Sequence, residues 1–207
     1  MIKIDRGVKE KYPELYLGIR VIVAEVREKG YDYYKEIEKF KERIKFNLEN
    51  IKDHPTIRAL RDFYWKIGLD PTKIRPSSEA LLRRFLRDNT IPRINNVVDA
   101  GNIASLETLI PIGLYDLVKT KGEINLRFSK EGEEFLDISG KSKILKDGLI
   151  VLADEEGVIH LFPHRDSMRT RITKDTKRIL IVACGVRGID NSLVDKAAYR
   201  VIELLKS

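Results

Sequence analysis

The amino-acid sequence predicts an α+β fold, with helices in the first half of the chain and strands in most of the second. Apolar residues recur at every third or fourth position between residues 31 and 108. Between residues 123 and 186 they alternate with polar residues or form short blocks separated by glycine-containing turns. A segregated order of this kind is typical of the α+β class. A chain of 207 residues can bury a sufficient core without disulfides or a metal.

Three elements are predicted before residue 68. Residues 14–26 are dense in β-branched and apolar side chains, which favours a strand. Residues 31–53 carry an apolar stripe beside alternating Lys and Glu, which predicts one long helix. A second helix is predicted over 56–67, after His54, for which we expect a surface or capping role. The aromatic residues 63–65 fit a base-stacking surface or a core, and their helical spacing favours the core.

A loop over residues 68–76 precedes the next predicted helix. Gly68 is placed to end the preceding helix, and Ser77 is predicted to cap the following one. Glu79 falls in the first turn, where the helix dipole favours a carboxylate. Two interpretations of the nearby arginines stay open: they hold phosphates or a carboxylate, or they pair with Glu79 and Asp88. These arginines are Arg75, Arg83, Arg84 and Arg87.

The segment from Thr90 to Lys119 is the least ordinary part of the sequence. Amide, carboxyl and hydroxyl side chains share a helical face with leucines there. Because a buried polar group without a partner costs roughly 1–3 kcal/mol, these groups either bond to the backbone or shape a polar pocket. The residues concerned are Asn95, Asn96, Asp99, Asn102, Ser105, Glu107 and Thr108.

Strands and one helix are predicted for the remainder of the chain. Asp190 is predicted to cap the closing helix. Cys184 lies in an apolar run and is predicted to be a small buried side chain. The predicted strands cover residues 123–128, 135–138, 149–154, 158–162 and 178–186, and the closing helix covers residues 191–206.

Composition limits the partners and the compartment. Thirty-nine Lys and Arg against 32 Asp and Glu give a net charge of +7, which fits RNA or a charge-rich surface of the hyperthermophile type. We expect no membrane span, since no apolar run reaches 18 residues, and no secretion signal. A single cysteine fits the reducing cytoplasm.

Sequence motifs for common cofactors and catalytic centres are lacking. There is no phosphate-binding glycine loop, no zinc spacing of Cys and His, and no nucleophile elbow. We therefore expect no cofactor and no metal, and covalent catalysis is not indicated.

A family resemblance rests on spaced matches that follow one order. The central segment contains N-x-V-V-D-x-x-N-x-x-x-L-E and then P-x-x-x-Y-D-L-x-K; GEINLRFSKEGEEFLDISGK, LKDGLIVLADEEG and RITKDTKRILIVA follow. Together these resemble the B3/B4 domain of the phenylalanyl-tRNA synthetase β subunit over about residues 68–186. DPTKIRPSSEALLRR is more similar to free-standing relatives of that domain.

The resemblance implies a fold and a domain organisation. We expect a single layered domain, a β-sandwich of unusual topology flanked by helices. Residues 1–67 would form an N-terminal strand-helix-helix part and residues 68–207 the B3/B4-like core. A chain with only these parts has no aminoacylation domain and would not charge a tRNA by itself.

The resemblance also implies site residues. Asn102 matches a pocket asparagine of the family, and the family's pocket histidine falls on Gly113. The glutamate that helps to recognise the misplaced amino acid falls on Arg165 or Asp166; Asp166 can do the same, and His164 is a candidate replacement for the histidine. We assign Asn102, Asp166 and His164 as catalytic candidates. The substrate- or RNA-binding candidates are Arg75, Glu79, Arg83, Arg84, Asn96, Asp99, Gly113, Arg165 and Ser167.

Three functions remain open on the sequence. The first is hydrolysis of a mischarged aminoacyl-tRNA, in which a held water attacks the ester. The second is binding of tRNA or other RNA without catalysis. The third is binding of a free amino acid or another small carboxylate, which an arginine such as Arg75 or Arg165 would clamp. All three turn on one expectation, that Asn102 and Asp166 border a shared cavity.

Overall fold

The computed structural model describes residues 2–207 and confirms the α+β class. Two sheets and one short ribbon account for the strands, and six α-helices accompany them. The helices of this part of the chain are α1 (Arg6–Lys11), α2 (Tyr34–Arg43), α3 (Pro55–Lys66), α4 (Ser77–Asp88), α5 (Asn96–Thr108) and α6 (Asn191–Lys206).

The larger sheet has five strands in the order β1-β4-β7-β8-β9, and the smaller has three in the order β2-β10-β3. Within both sheets only β1 and β4 run parallel. The strands are β1 (Ile2–Ile4), β2 (Tyr16–Val23), β3 (Ile112–Asp116), β4 (Ile124–Phe128), β5 (Glu134–Leu136), β6 (Ser142–Ile144), β7 (Ile150–Asp154), β8 (Gly157–Leu161), β9 (Arg165–Asp166) and β10 (Arg178–Gly185); β5 and β6 form the ribbon.

Strand β10 lies at the centre of the molecule and separates its two main hydrophobic cores. Its residues alternate between faces because successive side chains of a strand point in opposite directions. Ile179, Ile181 and Ala183 face the helices and pack with α4, α5 and α6. Leu180, Val182 and Cys184 face the five-stranded sheet. The order of layers is therefore helices, small sheet, large sheet, which confirms the predicted sandwich flanked by helices.

Close backbone contact joins the small sheet to α6. A Cβ atom on Gly18 of β2 would lie 2.8 Å from the carbonyl oxygen of Val194 in α6. Glycine at this position therefore sets the distance between the helix and the strand. At the start of α6, Asp190 accepts a hydrogen bond from the Ser192 amide, which confirms the predicted cap.

Several predicted elements are confirmed within three residues at their ends. These are the strand in 14–26, the helix near 56–67, the five strands of the second half and the closing helix. His54 caps α3, since its Nδ1 accepts a hydrogen bond from the Thr56 amide, and Gly68 (φ +79°) ends that helix. Cys184 is buried, and burial raises the pKa of its thiol, as a structural cysteine requires.

The long helix predicted over residues 31–53 is wrong, because α2 ends at Arg43. Asn47 and Asn50 explain the break. Asn47 Oδ1 accepts from the amides of Glu49 and Asn50, and Asn50 Oδ1 accepts from the amide of Asn47. Asparagine side chains that bond nearby backbone amides in this way compete with the helix ladder.

Two smaller predictions also need correction. Ser77 is the first residue of α4, and Pro76 holds the cap position without a side-chain hydrogen bond. Of the three aromatic residues in α3, Phe63 and Tyr64 are buried but Trp65 is exposed. Strands β1, β3, β6 and β9 and helix α1 were not predicted.

Candidate functional site

A cavity of about 550 Å³ opens between α5, β3, β9 and the segment that precedes β10. This volume lies in the range of small-molecule sites. Its walls combine apolar side chains with amide, carboxylate and basic groups. The lining residues are Glu28, Ile94, Asn95, Val98, Gly101, Asn102, Ile112, Leu114, Ile138, Asp166, Arg171, Ile172, Thr173 and Lys174.

Asn102 and Asp166 both line this cavity, although 64 positions separate them in the sequence. Asn102 lies on α5, one turn after Val98, which lines the same wall. Asp166 ends β9 and reaches the cavity from the edge of the five-stranded sheet. Within residues 2–207 the Asn102 side chain has no hydrogen-bond partner, so its amide is free to bind a ligand.

Asp166 is held from behind by a histidine. The Oδ1 atom of Asp166 lies 2.8 Å from Nδ1 of His160, which stands opposite it in the β8–β9 pair. The His160 side chain is 8% exposed, whereas that of Asp166 is 34% exposed. The carboxylate therefore faces the cavity while the imidazole fixes its orientation from inside the protein. A histidine that accompanies a carboxylate in this way restricts the rotamers of both.

Tyr115 completes the group behind Asp166. Its ring packs edge-on against His160, with 6.1 Å between ring centroids. Burial raises the pKa of the Tyr115 phenol well above its usual value, and the charge of nearby Asp166 raises it further. Tyr115 is thus a neutral phenol behind the carboxylate. Sequence reasoning missed both residues, because the position of His160 depends on the pairing of β8 with β9 and that of Tyr115 on the packing of β3 against the larger sheet.

The charges on the cavity wall are of both signs. Glu28 and Asp166 supply two carboxylates, and Arg171 and Lys174 supply two cations. A ligand with an ammonium group and a neighbouring anionic or polar ester group matches such a wall better than a simple anion does.

Asn96 and Asp99, two of the binding candidates, do not line this cavity and form hydrogen bonds within the protein. Asn96 Oδ1 accepts from the Arg27 amide, and its Nδ2 donates to the carbonyl of Glu25. Asp99 is buried and accepts from the Tyr31 hydroxyl at 2.6 Å and from the Ile94 amide at 2.9 Å. Burial and this hydrogen bond raise the pKa of Tyr31 to about 12. Both side chains tie the segment before α2 to α5.

Gly113 lies on β3 between two residues that line the cavity, Ile112 and Leu114. Because strand side chains alternate, a side chain at position 113 would point away from the cavity. A Cβ atom there would collide with the Tyr115 hydroxyl. Gly113 is therefore not among the residues that line this cavity.

The three other candidates near Asp166 are not part of the cavity wall. His164 lines a different cavity, beside Lys143 and Phe162. Arg165 is exposed and pairs with Leu161 across the strands. Ser167 is buried and its Oγ accepts from the Arg169 amide. His164 is therefore not a partner of Asn102.

The arginine group on α4 is also separate from the cavity. Glu79 is fully buried and accepts from Arg61 at 3.0 Å and from Arg83 at 2.8 Å, so neither Glu79 nor Arg83 is a free ligand-binding group. Arg84 lies 4.0 Å from Asp88 and is mostly exposed. Arg75 is exposed on the loop before α4. Of the two interpretations of these arginines, pairing with carboxylates describes Arg83 and Arg84 better than binding of phosphates or a ligand carboxylate does.

Comparison with known proteins assigns the family. A profile of the B3/4 domain matches residues 59–207, more than half of the chain. The chain belongs to the B3/4 domain family. This result confirms the resemblance, and the match extends further toward both ends than the region of residues 68–186 that carried it.

The similar proteins with curated names are phenylalanine–tRNA ligase beta subunits. The B3/4 chain is 33% identical over 109 residues to the subunit of Fusobacterium nucleatum, which covers 53% of the chain and 14% of the relative. It is 33% identical over 118 residues to that of Aquifex aeolicus, covering 57% and 15%. The chain thus spans about a seventh of the length of these relatives.

A solved structure shares the fold over the whole chain. It is an N-terminal fragment of the phenylalanyl-tRNA synthetase β subunit from Pyrococcus horikoshii, with a TM-score of 0.52 and 16% sequence identity. The match covers all of this chain and 48% of that fragment. Among the helices of residues 2–207, none has the length and apolar content needed to cross a bilayer.

Proposed function

We propose that this B3/4 chain binds the aminoacyl end of a tRNA in the cavity between α5 and β9 and hydrolyses a mischarged ester. The observation that carries the proposal is the shared cavity: Asn102 brings an unpaired amide and Asp166 a carboxylate into one space of about 550 Å³. The similarity to phenylalanine–tRNA ligase beta subunits supports a tRNA as the partner.

Asp166 is assigned to the amino acid. Its carboxylate accepts hydrogen bonds from the α-ammonium group, while His160 keeps it in place. Charge-assisted hydrogen bonds of this type are about twice as strong as neutral ones. Arg171 and Lys174 line the same cavity and suit the terminal phosphate and ribose of the tRNA.

Asn102 is assigned to the ester. In hydrolysis a water oxygen attacks the carbonyl carbon, the bond to the ribose oxygen breaks, and one proton passes from the water to that oxygen. Negative charge develops on the carbonyl oxygen, where the Asn102 amide donates a hydrogen bond. Aminoacyl esters are already activated, so orientation of the water and this donor suffice without a nucleophilic side chain.

Deacylation of a panel of mischarged aminoacyl-tRNAs by the purified chain tests the proposal. We expect release of one or a few amino acids, and a loss of about 100-fold in kcat/KM for Asn102→Ala and for Asp166→Asn. Asn191→Ala and Asp53→Asn change the same residue types at exposed positions outside the cavity and serve as matched controls. Deacylation that is unchanged in both cavity variants refutes the site, and a chain that binds these tRNAs without hydrolysing any is a binding module.

A free amino acid is the second candidate ligand. Asp166 and Arg171 carry opposite charges on one wall, which fits an ammonium and a carboxylate on the same molecule. A thermal-shift screen of the standard amino acids without tRNA separates the two candidates. Stabilisation that Asp166→Asn abolishes, together with no deacylation, would favour this second function.

A further inference from the structure

A second cavity, of about 430 Å³, lies between α1, the end of α3 and the segment from β6 to β7. The loop that follows β8 forms another wall. Its floor is apolar and includes Ile67, Leu69, Leu161 and Phe162. Three apolar side chains at its edge are exposed by more than a third, namely Ile74, Ile144 and Leu149.

The rim of this second cavity is basic. Lys11, Lys66, Lys143 and Lys146 line it, and no carboxylate is among its lining residues. The four lysines come from three separate parts of the fold: α1, α3, and the ribbon strand β6 with the residues after it. In residues 2–207 none of them forms an ion pair. The first cavity differs, because there the cations and carboxylates are equal in number.

Two of these lysines stand over an aromatic ring. The Nζ atoms of Lys11 and Lys66 lie 5.6 and 5.5 Å from the centroid of the Tyr12 ring. Cation–π contact of this kind holds the ammonium groups near an apolar surface without neutralising their charge. The lysines therefore keep their full attraction for an anion.

His164 adds a buried polar atom to the same wall. Its Nδ1 is shielded from solvent and has no hydrogen-bond partner in the described part of the chain. Burial, together with the charges of His160, Arg165 and Lys143, lowers the pKa of His164 to about 4. At neutral pH the imidazole is uncharged, so it can exchange a hydrogen bond with a neutral group of a ligand.

We propose that this second cavity binds an unpaired nucleotide of an RNA strand. The lysine rim contacts the phosphates, and the apolar floor receives the base. One or two cations suffice for a single carboxylate, whereas four without carboxylates suit the successive phosphates of a strand. A base has flat apolar faces that can pack on this floor and a polar edge that can form a hydrogen bond with His164. The net charge of +7 also attracts a polyanion such as RNA, and this attraction acts at longer range than the lysine contacts.

Fluorescence anisotropy of a labelled oligoriboadenylate, titrated with the full chain at several salt concentrations, measures the binding. The double variant Lys143→Ala/Lys146→Ala is expected to weaken affinity about 10-fold and to reduce the salt slope by about 0.7 for each phosphate that it no longer neutralises. Lys35→Ala/Lys45→Ala removes the same charge from two exposed lysines outside the cavity and is expected to weaken it far less.

A third variant tests the apolar part of the site. Ile144→Ser is expected to weaken binding severalfold without changing the salt slope, because it removes apolar surface and no charge. Competition with adenosine monophosphate distinguishes a nucleotide within an RNA strand from a free nucleotide as the ligand. An affinity for the monophosphate equal to that for the strand would overturn the assignment to RNA. Equal losses in the two lysine double variants, or no binding of the strand, would overturn the site.

These results do not depend on hydrolysis in the first cavity. Asn102→Ala, which is expected to lower kcat/KM for deacylation about 100-fold, should leave binding of the oligoriboadenylate unchanged. The two proposals can therefore fail separately.

Discussion

His160 and Asp166 face each other across the short pairing of β8 with β9, with 2.8 Å between Nδ1 and Oδ1. The histidine is buried and the carboxylate reaches a cavity, so the pair joins the core to the candidate site. Its strength can be measured apart from any activity.

A double-mutant cycle on this pair is the first prediction. We expect His160→Ala and Asp166→Ala to show a coupling free energy of about 0.5–3 kcal/mol in denaturant unfolding, as residues in one hydrogen-bonded group do. His160→Ala combined with Asp53→Ala, a distant exposed carboxylate, should be additive. Additive changes in the His160/Asp166 cycle would contradict the role given to His160.

The second prediction concerns the carboxylate of Glu79, which is fully buried between Arg61 and Arg83. Glu79→Ala leaves two arginines without their partner, and loss of one member of a buried pair is strongly destabilising. We expect a decrease of about 3 kcal/mol in the free energy of unfolding. Arg84→Ala on the same helix breaks only an exposed pair and should cost less than about 1 kcal/mol. Similar losses for both variants would show that Glu79 is not a structural anchor.

The third prediction is a pH dependence of stability that His164 causes. Its pKa is about 4 in the folded chain and near 6.5 in the unfolded chain. The unfolded state therefore binds more protons as the pH falls from about 6.5 to 4, and stability falls with it. We expect the native protein to lose roughly 3 kcal/mol more than His164→Gln over this interval. Urea unfolding of both proteins at a series of pH values gives the difference, and identical profiles would contradict it.

The fourth prediction concerns the close contact of β2 with α6. Gly18→Ala places a methyl group 2.8 Å from the Val194 carbonyl oxygen, and backbone atoms must move to admit it. We expect a loss of about 1–3 kcal/mol. Gly7→Ala in α1 is the matched control, because its new methyl group meets only the Phe128 ring at 3.6 Å. That variant should be neutral or slightly stabilising. If Gly18→Ala left the free energy of unfolding unchanged, α6 would be free to move away from β2, and the prediction would be contradicted.

The sequence predicts the parts of this fold that depend on local periodicity. Helix α6 begins at Asn191 and ends at Lys206 as expected, because an Asp190 cap and a regular apolar stripe are both local signals. Helix α2 is different. Its charged stripe continues toward Asn47, but the asparagine side chains there bond to the backbone and end the helix earlier. Hydrophobic periodicity alone does not show that these side chains compete with the helix for backbone hydrogen bonds.

Among the site residues, too, the sequence identifies some and does not identify others. The family resemblance singles out Asn102 and Asp166, and the fold puts them on one cavity. His160 could not be placed, because a hydrogen bond across two strands depends on register and β9 has only two residues; Tyr115 could not, because its position depends on how the two sheets pack. Asn96 and Asp99 suit a ligand on sequence grounds, since they are polar in an apolar segment. Their actual partners include backbone and side-chain groups about 70 positions earlier in the chain.

The segment from Phe162 to Asp166 borders both cavities, with His164 on one and Asp166 on the other. Only one residue lies between His164 and Asp166 in the sequence. If a ligand in one cavity shifts this segment, the affinity of the other cavity for its own ligand changes, and thermodynamic linkage makes that influence equal in both directions.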